Sequence, residues 1–307
     1  MALLGTTALS EAAETKTLLL ADITSILTGR PNLKVYFSNT VAVDMFCDIL
    51  RSSAHSDAAN AAASRAISCI ACDCAVAQEA FDTLDVFAAL FSIVSQSASA
   101  CTHAEVCRVL VALLRGRGSA SRAWCDVNAL SDCIRAICDV AHSFDCEAAA
   151  ELLDCLADEM DKSVAEALHA RGDVSGAVQH IAAGASSHWC RVMLLSAVHR
   201  FILLFAAFRS SLCSRAVVAA AQAAMMGTQD DYECGTVANA VGELVRGHAA
   251  NKAAFSSETT CMGLKRMAEA AVEHATIQVV RLRVLFPLRR SHGTLFPGRR
   301  LLNIEPV

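Results

Sequence analysis

The chain has 307 residues, of which 54% are hydrophobic and 19% are charged, so it can bury a large core and is not intrinsically disordered. Its formal net charge of -5 combines a net of -10 over residues 1–280 with a net of +5 over residues 281–307. The acidic body argues against general nucleic-acid binding, which needs a cationic face.

The scarcity of aromatic residues and prolines predicts an all-α fold. Aromatic residues make up 5% of the chain and alanine is abundant, which suits helices whose backbones approach closely. The prolines are Pro31, Pro287, Pro297 and Pro306, so residues 32–286 contain none. Because proline breaks helix interiors and interrupts sheet ladders, this long segment is permissive for helix throughout.

The N-terminal sequence and the cysteines indicate a reducing compartment. The first sixteen residues, MALLGTTALSEAAETK, have no basic region and only a short apolar run, so neither a secretory signal nor a transit peptide is predicted. Fifteen cysteines without an export signal indicate reduced thiols. We therefore expect a cytoplasmic protein, with the nucleus as the alternative.

Apolar residues recur along the chain at intervals of 43 or 44 residues. The anchor residues of successive units are Phe37, Phe81, Trp124, Leu168, Leu212 and Phe255. Eighteen residues before them stand Leu19, Ala63, Val106, Ala150, Leu194 and Val237, and eleven before them stand Ile26, Ile70, Leu113, Ala157, Phe201 and Leu244. Six residues after the anchors come Val43, Phe87, Leu130, Val174, Val218 and Cys261, and nine after them come Phe46, Leu90, Cys133, Ala177, Ala221 and Leu264. A shared period of this length indicates stacked helical units.

Within each unit, the apolar spacing predicts three helices. The columns before the anchor follow the i, i+3, i+4, i+7 pattern of one helical face, and those after it indicate a second helix. The segment around the anchor, such as residues 77–83 or 121–126, has room for a short first helix. Asp85, Asn128 and Gly172 stand where a turn is then expected, four residues after their anchors. Residues 8–28 are predicted as the last helix of an N-terminal partial unit.

A three-helix unit with a turn before its second helix resembles the armadillo repeat. The best match is AEALHARGDVSGAVQHI (residues 165–181), which looks like that family's helix 1, glycine turn and helix 2. Residues 76–94 and 251–268 follow the pattern less strictly. The resemblance covers roughly residues 10–286 and implies a right-handed α-solenoid of about six armadillo-like repeats, with two-helix HEAT repeats as the alternative.

These patterns set the predicted domain boundaries. Residues 1–286 are predicted to form one armadillo-like helical solenoid, and Pro287 ends its last helix. Residues 287–307, PLRRSHGTLFPGRRLLNIEPV, have no sustained helical period and are predicted as a basic, mostly irregular tail. Residues 192–208, VMLLSAVHRFILLFAAF, are the most membrane-like stretch, but His199 and Arg200 lie at its centre. Because lipid penalises a central charge, we predict a buried core helix and no membrane partner.

The resemblance places a concave binding groove along the third helices. Nuclear-import adaptors of the family carry an asparagine and a tryptophan at positions that correspond to twelve and sixteen residues before each anchor. In this chain, the residues sixteen before the anchors are Ala21, Arg65, Arg108, Leu152, Ser196 and Asn239. The residues twelve before the anchors are Ser25, Cys69, Ala112, Leu156, Arg200 and Glu243. This ladder of indole and amide side chains is absent, so import-adaptor function is not expected.

A row of polar residues remains in the predicted groove. The candidate partner-binding residues are Arg65, Arg108, Arg115, Arg200, Asn239 and Arg246. Guanidinium groups bind carboxylates in a bidentate manner, so an acidic segment of another protein is the expected ligand. Glu105, Glu159 and Glu243 interrupt the row, and the arginines can instead pair with such local acids.

Residues 69–81, CIACDCAVAQEAF, raise the question of a metal site. At 100° per residue on a helix, Cys74 lies about 140° from Cys69, so these thiols converge with Cys72 only if the helix stops near Asp73. A structural zinc also needs a fourth ligand, and no second CxxC or HxxxH occurs nearby. We expect the cysteines to act as small buried apolar residues, with no metal or other cofactor.

The sequence contains no GxSxG, P-loop, GxGxxG or HExxH motif, so neither an enzyme nor a small-molecule substrate is predicted. The favoured function is a non-enzymatic adaptor that binds a segment of a partner protein. The alternative is a structural subunit of a large cytoskeletal or ciliary assembly, as some armadillo-like proteins are. A third hypothesis is that the basic tail folds over the acidic body as an intramolecular ligand.

Overall fold

A computed structural model of the chain describes residues 2–52, 56–115, 127–143, 146–228 and 230–270. These residues form helices and no strand, which confirms the all-α class. In chain order the α-helices are α1 (Ala2–Gly29), α2 (Thr40–Ser52), α3 (Asp57–Ala71), α4 (Ala75–Phe81), α5 (Leu84–Gln96), α6 (Ala100–Leu114), α7 (Val127–Ser143), α8 (Cys146–Glu159), α9 (Lys162–Arg171), α10 (Asp173–Gly184), α11 (His188–Leu204), α12 (Phe208–Ser211), α13 (Arg215–Gly227), α14 (Asp231–Val245), α15 (Ala249–Ala254) and α16 (Glu258–Ala270). A 3-10 helix, Pro31–Phe37, lies between α1 and α2.

The longer helices pack in two series. In one series, here called the third helices, each member contacts the next, in the order α1, α3, α6, α8, α11 and α14. In the other, here called the second helices, the order is α2, α5, α7, α10, α13 and α16. Each second helix from α2 to α13 also contacts the third helix that follows it in the chain. The short helices precede the second helices, so helix order follows the period of the sequence.

Side-chain caps determine where many of these helices begin. In each case a hydroxyl or carboxylate oxygen accepts the backbone N–H three residues later, which satisfies a donor that has no partner within the helix. The capping residues are Ser56, Thr83, Ser99, Asp161, Ser187, Ser214 and Asp230. Each cap stabilises its helix by about 0.5–2 kcal/mol.

One of the three predicted turns is correct. Gly172 joins α9 to α10 with φ of 78°, in the left-handed region that favours glycine, so the turn predicted there is confirmed. The turns predicted at Asp85 and Asn128 are wrong. Thr83 caps α5 and places Asp85 in its first turn, and Asn128 is the second residue of α7.

The apolar columns occupy the core. Phe81, Leu168, Leu212 and Phe255 are fully buried anchors, whereas Trp124 and residues 121–126 lie outside the described residues. The column nine residues after the anchors is buried in all six units, from Phe46 to Leu264. Phe37 is half-buried. The periodic columns therefore identify the residues through which the helices pack.

The first unit departs from the predicted register. Leu19 and Ile26 are 55% and 53% exposed, whereas their neighbours Leu20 and Leu27 are 1% and 0% exposed, so the prediction for this unit is wrong. The buried residues Leu20 and Leu27 of α1 stand 43 residues before their equivalents Ala63 and Ile70 in α3, whereas the anchor Phe37 stands 44 residues before the anchor Phe81. The stretch from the buried Leu27 to Phe37 is thus one residue shorter than the equivalent stretch from Ile70 to Phe81.

The hydrophobic stretch at residues 192–208 forms most of α11, and the prediction of a buried core helix is confirmed. Val192, Leu194 and Val198 are fully buried against neighbouring helices, while Arg200 is half-buried. The helix ends at Leu204, before the end of the apolar run. Within the described ranges, no helix is long and apolar enough to cross a membrane.

Candidate functional site

The surface of the third helices contains two depressions of opposite charge. The first, here called the cationic depression, has a volume of about 480 Å³ and holds Lys34, Arg65 and Arg108 against the single carboxylate of Glu105. The second, here called the acidic depression, has a volume of about 300 Å³. Its charged residues are Arg115, Arg200, Glu151, Asp154, Asp158 and Glu159.

Glu105 organises the cationic depression. Its side chain is 4% exposed, and its Oε1 atom accepts hydrogen bonds from Arg65 Nε at 3.1 Å, Arg65 Nη2 at 2.6 Å and Arg108 Nη1 at 2.9 Å. The hydrogen bond and charge of Glu105 raise the pKa of Arg65. One buried carboxylate on α6 therefore holds two arginines from adjacent third helices in fixed positions.

Lys34 completes this depression from the 3-10 helix. Its Nζ donates to the carbonyl of Cys72 at 2.7 Å, just beyond the end of α3. Gln78 and Arg209 occupy the same position of their units, three residues before the anchor, and donate to the carbonyls of Ala112 at 3.0 Å and Glu243 at 2.7 Å. Carbonyls at a helix C-terminus lack partners within the helix and favour cationic donors. These contacts tie a short helix to the next third helix.

The remaining candidate arginines also form ion pairs. Arg115 Nη2 lies 3.1 Å from Glu151 Oε1, and Arg246 Nη2 lies 2.7 Å from Glu243 Oε1. Arg200 Nε lies 3.0 Å from Asp154 Oδ1, and its Nη1 contacts Asp158. All five candidate arginines therefore pair with acids of the same chain, which is the alternative that the sequence analysis gave for them.

The six candidate residues do not converge on one point. Arg65 and Arg108 meet at Glu105 in the cationic depression, and Arg115 and Arg200 line the acidic depression. Asn239 is exposed on α14 and Arg246 follows its last residue, and neither lines these two depressions. The predicted row is therefore divided into two local environments.

The acidic depression includes aromatic residues that the sequence analysis did not identify. Trp189 at the start of α11 is 38% exposed, and its indole N–H donates to Glu151 Oε1 at 2.8 Å. Tyr232 on α14 is 57% exposed. Burial raises the pKa of Asp154, although a hydrogen bond with Ser196 and the charge of Arg200 oppose this shift. The depression thus combines exposed aromatic side chains with an excess of carboxylates.

The cysteines at residues 69–74 do not share a helix. The α3 helix ends at Ala71, Asp73 has a left-handed φ of 54°, and Cys74 directly precedes α4, so the helix does stop where convergence requires it. Even so, no group of three or more His, Cys, Asp or Glu side chains in the described part of the chain can hold a metal ion. Cys72 is exposed, contrary to the expected burial. Cys133 is buried as expected, and this burial raises the pKa of its thiol to about 12.

No protein-family model matches the chain, and no curated protein sequence matches it.

Proposed function

We propose that this protein is a non-enzymatic adaptor that holds a segment of a partner protein along its third helices. The two series of packed helices support an armadillo-like interpretation, a right-handed α-solenoid of about six three-helix repeats. The glycine turn at Gly172, between the ten-residue α9 and the twelve-residue α10, fits the same pattern. Stacked repeats expose an extended surface, which suits the binding of an extended segment.

The arrangement of charge in the cationic depression carries this proposal. Three cations face one carboxylate there, so the depression has a net charge of +2. The Arg65 and Arg108 side chains are 57% and 46% exposed, so a ligand can reach them while Glu105 holds them in place. Because their positions are fixed in advance, little side-chain entropy is lost when they bind. We propose that an Asp or Glu side chain of the partner occupies this depression.

A structural subunit of a large assembly is the second candidate, and the N-terminal end favours it. Leu18, Tyr36 and Val41 are 63%, 73% and 78% exposed. Leu18 stands two residues before the buried Leu20. The equivalent residues Ala104, Ala148 and Val192 of later third helices are buried, and the equivalents Ala61 and Gly235 are half-buried. The apolar surface of this end can pack against another subunit.

Removing three of the four charges of the cationic depression, with Lys34 retained, tests the adaptor proposal. The triple variant combines Arg65→Gln, Glu105→Gln and Arg108→Gln. Because Glu105 is replaced together with both of its arginine partners, no buried carboxylate is left without a partner. We expect bound partner, measured by quantitative mass spectrometry after affinity purification of the full chain, to fall by about tenfold or more, because contacts to fixed charges are lost. Raising the salt concentration should also weaken capture by the unchanged chain.

The matched control neutralises an ion pair on a second helix. Arg135 and Asp132 pair on α7, so the variant Arg135→Gln with Asp132→Asn changes charged side chains away from both depressions. This control should bind partners as the unchanged chain does. Equal recovery of every partner by the triple variant would refute the adaptor proposal, whereas salt-resistant, stoichiometric co-sedimentation with an assembly would favour the structural alternative.

A further inference from the structure

The charge and shape of the acidic depression indicate a cationic occupant. Four carboxylates and two arginines are among its described lining residues, whose formal charges sum to -2. Trp189 and Tyr232, which are 38% and 57% exposed, line the same depression. An arginine side chain suits such a site, because its guanidinium group both stacks on aromatic rings and binds carboxylates.

The C-terminal segment of the chain has the complementary chemistry. Residues 281–300 lie outside the described residues, and their sequence is RLRVLFPLRRSHGTLFPGRR. The segment contains six arginines, no lysine and no acidic residue, whereas residues 1–280 have a net charge of -10. Apolar residues such as Leu282, Val284 and Leu288 stand beside its arginines, so the segment can contact both aromatic and acidic side chains.

We propose that the acidic depression binds this segment of the same chain, with one of its arginines seated beside Trp189. The inference goes beyond the adaptor function, because it needs no partner protein. A docked segment would lie on the third helices and compete there with a partner segment. The chain would thus carry its own competitor for part of its binding surface.

The segment is long enough to reach the depression. Arg289 is 19 residues beyond Ala270, the last described residue, and an extended chain of that length spans about 60 Å. Helix α16 packs on α13, which packs on α11, and each packing step is on the order of 10 Å. A tethered ligand experiences an effective concentration on the order of millimolar, so even a weak contact is populated.

Trp189 provides a direct test in the full-length chain. The sequence has two tryptophans, so Trp124→Phe leaves Trp189 as the sole indole reporter. In this background, replacing Arg289, Arg290, Arg299 and Arg300 by Glu should raise the acrylamide quenching constant of Trp189 about twofold, as expected when a half-occupied site is vacated. Raising the salt concentration to about 0.5 M should have a similar effect with the unchanged segment and little effect with the variant.

A charge-swap experiment distinguishes specific docking from general attraction. Adding Asp158→Arg and Glu159→Arg to the charge-reversed segment should restore protection of Trp189. The matched control, Asp44→Arg with Asp48→Arg on the exposed face of α2, should not restore it. Quenching that is unaffected by the segment variant, or protection restored equally by the α2 control, would overturn the proposal. Protection that grows with protein concentration would show binding between chains and would also overturn it.

Discussion

Replacing both Arg65 and Arg108 by methionine is expected to lower the free energy of unfolding by about 3 kcal/mol, because the buried Glu105 carboxylate loses both ion-pair partners. This value is at the lower end of the range for buried pairs, since the arginines are half exposed and water can approach. Urea denaturation followed by far-ultraviolet circular dichroism would measure the change.

Two further variants test the cause of this loss. Adding Glu105→Gln to the double variant should recover most of the stability, because a neutral amide has a smaller desolvation cost than a carboxylate. Arg135→Met, which removes a partner of the more exposed Asp132, should change the stability by less than about 0.5 kcal/mol. A double variant as stable as the unchanged chain would show that Glu105 does not depend on these arginines.

Replacing Leu27 by alanine is expected to cost about 2–5 kcal/mol, because its fully buried side chain packs α1 on α3 and its loss leaves a cavity. Replacing its neighbour Ile26, which is 53% exposed, is expected to change the stability by less than about 0.5 kcal/mol. Thermal or urea denaturation of the two variants provides a matched comparison within one helix.

This comparison also distinguishes two registers of α1. The period counted from Phe37 places Ile26 in the core, whereas the structure places Leu27 there. A large loss for Ile26→Ala with a small loss for Leu27→Ala would contradict the structure in this unit. Similar losses for both variants would indicate that α1 does not bury one defined face.

The helices and their core residues were largely predictable because packing repeats with the chain. A residue such as Phe46 or Leu90 contacts equivalent neighbours in adjacent units, so its apolar character recurs at a fixed interval. The register of α1 was not predictable from this interval. It depends on the number of residues between the buried face of α1 and Phe37, and one residue fewer there moves Leu19 out of the core and Leu20 into it.

The sequence predicted where the candidate arginines lie on the helices, but it did not predict which side chains surround them. The arginines lie on or beside the third helices. Arg108 and Arg246 pair with the acid three residues before them, but Arg65, Arg115 and Arg200 pair with acids roughly one unit away in sequence. Arg65 pairs with Glu105 and Arg200 with Asp158, at separations of 40 and 42 residues. A search for opposite charges near the period would have found these pairs. The exposure of Trp189 has no comparable signal, because a large aromatic residue is ordinarily expected inside a core.

A partner segment that lies along the third helices at the cationic depression would protect the backbone amides of the helices beneath it. Amide hydrogen exchange, measured by mass spectrometry on the chain with and without its purified partner, tests this most directly. Binding should slow exchange in α3 and α6, which carry Arg65 and Arg108, and leave the neighbouring second helices α2 and α5 unchanged. Slower exchange confined to the second helices or to the N-terminal end would contradict the claim.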